Sequence, residues 1–96
     1  MRVVDEFAFS VGATPQQLTL NVPEVFKPLL CGLRGANAFV WAIVDDAAPV
    51  VSRRFMIFET GQALVTPGGA PITRGDFLGA FSQGAITYFL FQRNLD

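Results

Sequence analysis

Two consecutive stretches, Ala38-Phe39-Val40-Trp41-Ala42-Ile43-Val44-Asp45-Asp46 and Val50-Val51-Ser52-Arg53-Arg54-Phe55-Met56-Ile57-Phe58-Glu59-Thr60-Gly61, are apolar at both odd and even positions. Side chains of a strand alternate between its two sides, so neither stretch fits a strand with one side on a core and the other in plain water. The polar Asp45-Asp46-Ala47-Ala48-Pro49 link between them leads us to expect a central hairpin. Its second face must then be covered by another layer of the fold or by another subunit. Trp41, the only tryptophan, lies in the first stretch.

The remaining segments read as shorter strands set off by turn residues. Arg2 to Phe9 alternates loosely around Asp5 and Glu6, which suits an edge strand. After Val11-Gly12-Ala13-Thr14-Pro15-Gln16, a turn, Gln17-Leu18-Thr19-Leu20-Asn21-Val22 alternates strictly and presents one apolar face. Pro23 to Pro28 is too short and too proline-bounded for a helix, and a loop or a single helical turn is expected there. Extended structure resumes at Leu29 to Arg34, with Gly35-Ala36-Asn37 as the turn into the central pair. Gly32 within that strand calls for a bulge or a close approach. Residues 62–74 carry two Pro and two Gly within Pro67-Gly68-Gly69-Ala70-Pro71 and form a long loop. Phe77 to Ser82 and Ala85 to Phe91 close the chain as a second hairpin turning at Gln83-Gly84. These segments define an all-β chain of about seven strands, a small antiparallel β-sandwich or a partly open barrel, expected to be a single domain over residues 1–96.

A domain of this length buries only roughly 60–65% of its unfolded surface. With 51% hydrophobic and 16% charged residues, the chain has more apolar surface than its own interior can take, which points to an interface. The net charge is −1 and no basic cluster exceeds Arg53-Arg54. Duplex nucleic acid is therefore excluded as a partner, because phosphate tracking needs several cationic contacts. No apolar run reaches the ~20 residues of a membrane span, and the acidic start does not read as a signal peptide. The single Cys31 fits a reducing compartment, so a cytoplasmic setting is expected.

The run Val40-Trp41-Ala42-Ile43-Val44-Asp45-Asp46, then Arg54-Phe55-Met56-Ile57-Phe58-Glu59-Thr60-Gly61, then Phe77-Leu78-Gly79-Ala80-Phe81 and Gly84-Ala85-Ile86-Thr87-Tyr88-Phe89-Leu90-Phe91, resembles a family of small uncharacterised phage and prophage all-β proteins. The likeness reaches back through Leu20 and Val22-Pro23 and covers most of the chain. It implies a phage setting, in the host cytoplasm or on a virion, and no mechanism. Where the pattern has histidines, this chain has Gln62 and Gln83, and it contains no histidine at all. Histidine-dependent chemistry could not operate here, which favours a non-catalytic scaffold.

The residue inventory agrees. General acid–base catalysis lacks its ordinary base, and a cysteine without a histidine partner is not an activated nucleophile. Asp45-Asp46 is read as a solvated turn, since adjacent strand residues point to opposite sides. One Cys and scattered carboxylates make no metal-ligand set, and no cofactor is expected. Pro67-Gly68-Gly69 lacks the following helix of a phosphate cradle and reads as a flexible loop or a contact arm. Of Arg53 and Arg54, one should face out and the other toward the covered side. Either could stack on an aromatic or grip a carboxylate or phosphate. Phe39, Trp41 and Tyr88 read as core or interface, or as the lining of a ligand pocket.

Two functions follow from these residues. The first is a non-enzymatic interaction protein that forms a homo-oligomer, or docks on a phage or host assembly, through a second apolar sheet face. The second is a counter-defence protein that sequesters a nucleotide through Arg53 or Arg54, an aromatic and the 62–74 loop, at a site formed between subunits. An enzyme using carboxylates would need Asp45, Glu59 or Asp76 gathered in a cleft.

Overall fold

The computed structural model describes residues 1–35, 37–66, 68–72 and 76–93. The turn residue Ala36 and the loop residues Pro67, Thr73 and Arg74 lie outside them. Seven strands follow in order: β1 (Arg2–Phe9), β2 (Gln16–Pro23), β3 (Phe26–Arg34), β4 (Asn37–Asp45), β5 (Val50–Glu59), β6 (Phe77–Gln83) and β7 (Ile86–Arg93). They form two antiparallel sheets, a three-stranded one ordered β1-β4-β3 and a four-stranded one ordered β2-β5-β7-β6. The chain is a small β-sandwich without barrel closure. Among the described residues no helix is long and apolar enough to cross a membrane.

The expected central hairpin does not form. β4 is the middle strand of one sheet and β5 an inner strand of the other, so the Asp45–Pro49 link carries the chain across the sandwich. Apolar pattern alone does not distinguish a strand's neighbour in a sheet from the strand facing it across the core. Here Val40 of β4 and Phe55 and Ile57 of β5, all fully buried, belong to the same core cluster between the sheets. Each such side chain contributes on the order of 1.5–3 kcal/mol. The crossing is fastened by backbone bonds from Glu24 N–H to the Pro49 carbonyl and from Asp46 N–H to the Met1 carbonyl, at 2.8 and 3.1 Å. The true partner of β4 within the chain's next-neighbour order is β3, joined through Gly35 at φ +62° with Arg34 paired to Asn37.

Strand β3 begins at Phe26 rather than Leu29. The Phe26 ring packs edge-on against Phe7 and Phe55, with centroids 5.7 and 6.1 Å apart, and this anchoring extends the strand through a segment whose prolines argue for a loop. Pro28 is tolerated because β3 is an edge strand and its register shifts between Pro28 and Leu30, leaving Leu29 as an extra residue. The final hairpin forms as expected, with its turn one residue later. Gln83 pairs with Ile86, and Gly84 at φ +63° takes the first central position.

The second face of β5 and β7 is covered by the chain itself. Met56, Phe58 and Phe91 form a second buried cluster on the outside of the four-stranded sheet, with Phe89 and the loop residue Ile72 packed on it. The described part of the loop carries hydrogen bonds of its own. Thr66 is buried, its hydroxyl accepts the Ala70 N–H at 3.1 Å, and its N–H donates to the Ala70 carbonyl at 2.8 Å. Val65 and Pro71 bridge as antiparallel partners.

Candidate interaction surface

Among the described residues no such cover lies over β4. Its Ala38, Val40, Ala42 and Val44 point into the core, while Phe39, Trp41 and Ile43 point outward and remain half-buried. Pairing registers set three rows across the outer face, reading from β1 through β4 to β3: Ala8, Phe39, Gly32; then Glu6, Trp41, Leu30; then Val4, Ile43, Lys27. Val4 is 62% exposed and Leu30 55%, and the extra residue Leu29 is also exposed. The result is an apolar patch on the outside of a sandwich that is only 19 Å through its shortest dimension.

A polar strap crosses this patch. Arg34, at the end of β3, reaches over β4 to Glu6 on β1, with Nη1 to Oε1 at 3.1 Å and Nη2 to Oε2 at 3.0 Å. Trp41 Nε1–H donates to the same carboxylate at 3.1 Å. The guanidinium lies 5.2 Å from the Phe39 ring centre and 6.0 Å from that of Trp41, and the two rings are 5.8 Å apart. A cation over exposed aromatics adds about 0.5–1 kcal/mol, and an exposed ion pair about as little. The strap thus orients Trp41 more than it stabilises the fold. The indole lies beside the β3 backbone at Gly32, where a Cβ would stand 3.5 Å from the Trp41 ring, an ordinary contact distance.

Charge at the far end of the face is neutralised locally. The Met1 amine is held by Asp46 and Asp45, at 3.0 and 3.2 Å, and its pKa is raised, with the Asp46 bond as the largest cause. The Asp45 carboxyl is held below its usual range, first by the Ala47 N–H and then by the amine. Lys27 stays exposed on β3.

The other candidate residues are dispersed. Tyr88 is core, stacked on Phe81 at 5.5 Å. Arg53 is the inward one of the pair, with its guanidinium 5.8 Å from the Phe26 ring centre and Nη2 donating to the Glu24 carbonyl. Arg54 is exposed on the outer side of the four-stranded sheet, beside Thr19. Gly68 and Gly69 are exposed in the turn held by Thr66, Gly69 at φ +87°, and Pro67 lies outside the described residues. Phe39 and Trp41 meet, and the arginine they meet is Arg34 rather than Arg53 or Arg54.

Arg34 and Glu6 escaped sequence reasoning because their roles depend on pairing. The available signal was Gly35-Ala36 as a two-residue hairpin loop, which pairs Arg34 with Asn37 and sets it on the same side as Phe39 and Trp41.

A separate cleft of about 250 Å³ opens beside the loop, with Phe58, Phe89, Phe91 and Leu64 on its walls and Glu59 and Gln62 at its rim. The Glu59 carboxylate accepts the Thr14 hydroxyl, and Gln62 bonds both Thr14 and the Glu59 backbone. Among the described residues its lining is apolar and acidic, with no arginine or lysine. Among the described residues no group of three or more His, Cys, Asp or Glu is gathered for a metal ion.

No curated protein and no solved structure matches the chain. The model of a family described as a domain of unknown function spans residues 2–96 and so takes in every strand and both outer faces. The chain belongs to that family, DUF7352.

Proposed function

We propose that this protein is a non-enzymatic interaction module that works through the outer face of the three-stranded sheet. The observation that carries the proposal is the outward triad Phe39, Trp41 and Ile43 of β4, flanked by exposed Val4 and Leu30 and covered by no other part of the described chain. Isolated surface leucines need no explanation, but a contiguous apolar face centred on tryptophan marks a contact site. On β5 and β7, equally apolar on both sides, Met56, Phe58 and Phe91 are buried with Ile72 packed on them, whereas among the described residues nothing comparable packs on Phe39, Trp41 and Ile43.

The setting we assign, phage or prophage in the host cytoplasm or on a virion, rests on the resemblance of the sequence motifs alone. Nucleotide sequestration between subunits is the weaker reading, because the Arg53 guanidinium is already engaged by the Phe26 ring and the Glu24 carbonyl and Arg54 stands on the other sheet from Phe39 and Trp41.

The test is a photo-crosslinking amino acid placed at Leu30, and separately at Ser52 on the other sheet, in cells expressing the protein at its native level. Discrete adducts at Leu30 and none at Ser52 are expected. Adducts at neither position, or equally at both, would remove the face as the working surface.

A further inference from the structure

We infer that β2 is a second docking element, at which an extended segment of a partner chain, with a basic side chain among its inward residues, pairs as a fifth strand of the four-stranded sheet. This edge is separate from the outer face of the three-stranded sheet, and its failure would leave that face untouched.

Each sheet has two edges, and three of the four are guarded. β1 carries adjacent Asp5 and Glu6 in its middle. β3 is interrupted at Pro28 and the extra Leu29, and β6 shifts register between Phe77 and Gly79. These two edges also lie against each other at Cys31 and Gly79. β2 has none of these devices. It runs from Gln16 to Pro23 against β5 without a register shift, carries no charged residue, and its one proline is terminal. In an antiparallel ladder every second residue turns its N–H and carbonyl away from the paired strand. The β1–β2 turn takes up only the Gln16 end, where the side chain accepts the Gly12 N–H at 2.6 Å and donates to the Ser10 carbonyl at 2.8 Å. From Leu18 to Val22 the outer edge meets no other strand among the described residues. A long, unbulged, uncharged edge is what soluble β proteins usually avoid, and it is the feature that strand addition uses.

Burial marks the same side of the sandwich as open. On the β3–β6 side the inward Cys31 and Phe81 are buried. On the β1–β2 side the inward Leu18, Leu20 and Phe7 pack on the core and are still only half-buried. Asp5, paired with core-facing Ala42 and so on the inward side of β1, is exposed.

Charge selects the partner. Asp5 is the charged residue on the inward side of β1, and its Oδ1 accepts the Glu6 N–H. β2 is neutral, and Arg53, the inward base paired with Leu20, is already engaged by the Phe26 ring and the Glu24 carbonyl. A second copy pairing through its own β2 would bring its own Asp5 to the same side of the joined sheet. Self-pairing is thereby disfavoured, and a strand with Lys or Arg on its inward side is favoured.

The test uses capped synthetic peptides of the length of β2, alternating threonine and valine, with a central valine replaced by lysine, glutamine or glutamate. They are titrated into isotope-labelled protein and followed by the amide resonances. Those of Leu18 to Val22 and of Asp5 should shift. The lysine peptide should bind about fivefold more tightly than the glutamate one at low salt, and Asp5→Lys should invert that order. Methylating the backbone nitrogens of alternate peptide residues should abolish binding for one of the two sets, because the ladder uses one edge of the peptide. Leu20→Lys places an inward charge on the edge and should abolish binding of all three peptides, with circular dichroism as the check on folding. Where that variant loses its fold, the methylated peptides and Asp5→Lys decide alone. No shift at millimolar peptide would overturn the edge as a docking site, and so would shifts confined to Phe39 and Trp41. Equal binding of the lysine and glutamate peptides would overturn the basic partner, and dimerisation through β2 without peptide would put a second copy in its place.

Discussion

Gly79 of β6 lies so close to Cys31 of β3 that a Cβ at position 79 would stand 2.8 Å from the Cys31 Sγ and 3.4 Å from its backbone nitrogen. The two strands are edges of different sheets, and this contact shuts one side of the sandwich without a hydrogen-bonded ladder. Gly79 also follows the point where β6 shifts register against β7, so the missing side chain and the irregular backbone serve the same approach. Gly79→Ala should therefore cost about 1–3 kcal/mol as an overpacking change. In a Cys31→Ala background the cost should be smaller, since the nearest atom is gone. Urea unfolding of the four proteins in a double-mutant cycle measures the coupling, and additive effects would place the strain elsewhere.

The same burial sets the chemistry of the thiol. Desolvation pushes Cys31 up to about 11, from an ordinary value of 9.0. Its folded pKa lies above its unfolded one, so its contribution to stability is whole below about pH 9 and is lost as the pH rises toward 11. Ultraviolet titration of the thiolate should show the high midpoint in the native state, and a thiol reagent at neutral pH should label the cysteine only on unfolding. Rapid labelling of the native protein would show a seam between β3 and β6 that opens readily.

The strands themselves were legible because alternation and turn residues are local signals, and β1, β2 and the β6–β7 hairpin fall where the pattern put them. What the pattern could not give was partnership. β4 and β5 look like a hairpin because both carry apolar residues on both sides, yet one property arises in two ways: β5 is covered on its second face by the 62–72 segment, and β4 is not covered by the described chain. Phe26 was hidden between two prolines, where only its contacts with Phe7 and Phe55 reveal a strand. Of the candidate site, Phe39 and Trp41 were visible as aromatics at strand spacing. Of their polar partners, Arg34 is within reach of a hairpin reading, but Glu6 lies 28 positions from Arg34 and 35 from Trp41, which no local reading joins.

Arg53 and Arg54 are neighbours with opposite surroundings. Arg53 is half-buried, stacks on Phe26, ties β5 to the Glu24 carbonyl and has its Nε shut away from solvent, whereas Arg54 stands in water. Arg53→Ala should destabilise the fold by about 1–3 kcal/mol through lost packing and an unpaired carbonyl, and Arg54→Ala should stay within about 0.5 kcal/mol of wild type. Thermal or urea unfolding decides this. Equal, negligible effects would mean that Arg53 is free to serve a ligand, which would revive the nucleotide reading.

Thr66 is the pin of the segment that covers the second face of β5 and β7. Its hydroxyl accepts from Ala70 N–H, its carbonyl accepts from Gly69 N–H, and a bond from Ile72 N–H to the Leu64 carbonyl closes the same unit, bringing Ile72 onto Met56, Phe58 and Phe91. Thr66→Val keeps the volume and removes only the hydroxyl, so one acceptor is lost at a cost of about 1 kcal/mol. That cost falls on a local unit with few long-range bonds, and it should appear as local opening before any global loss. Amide hydrogen exchange should accelerate at Thr66 and Ile72 by roughly five- to tenfold, while the amides of Val40 and Ala42 in β4 keep wild-type rates. Binding of a dye that senses apolar surface should rise in parallel as Phe58 and Met56 are uncovered. Exchange that speeds up uniformly across both sheets would instead make the segment part of one cooperative unit with the sandwich, and the two outer faces would then differ in composition alone, not in the stability of what covers them.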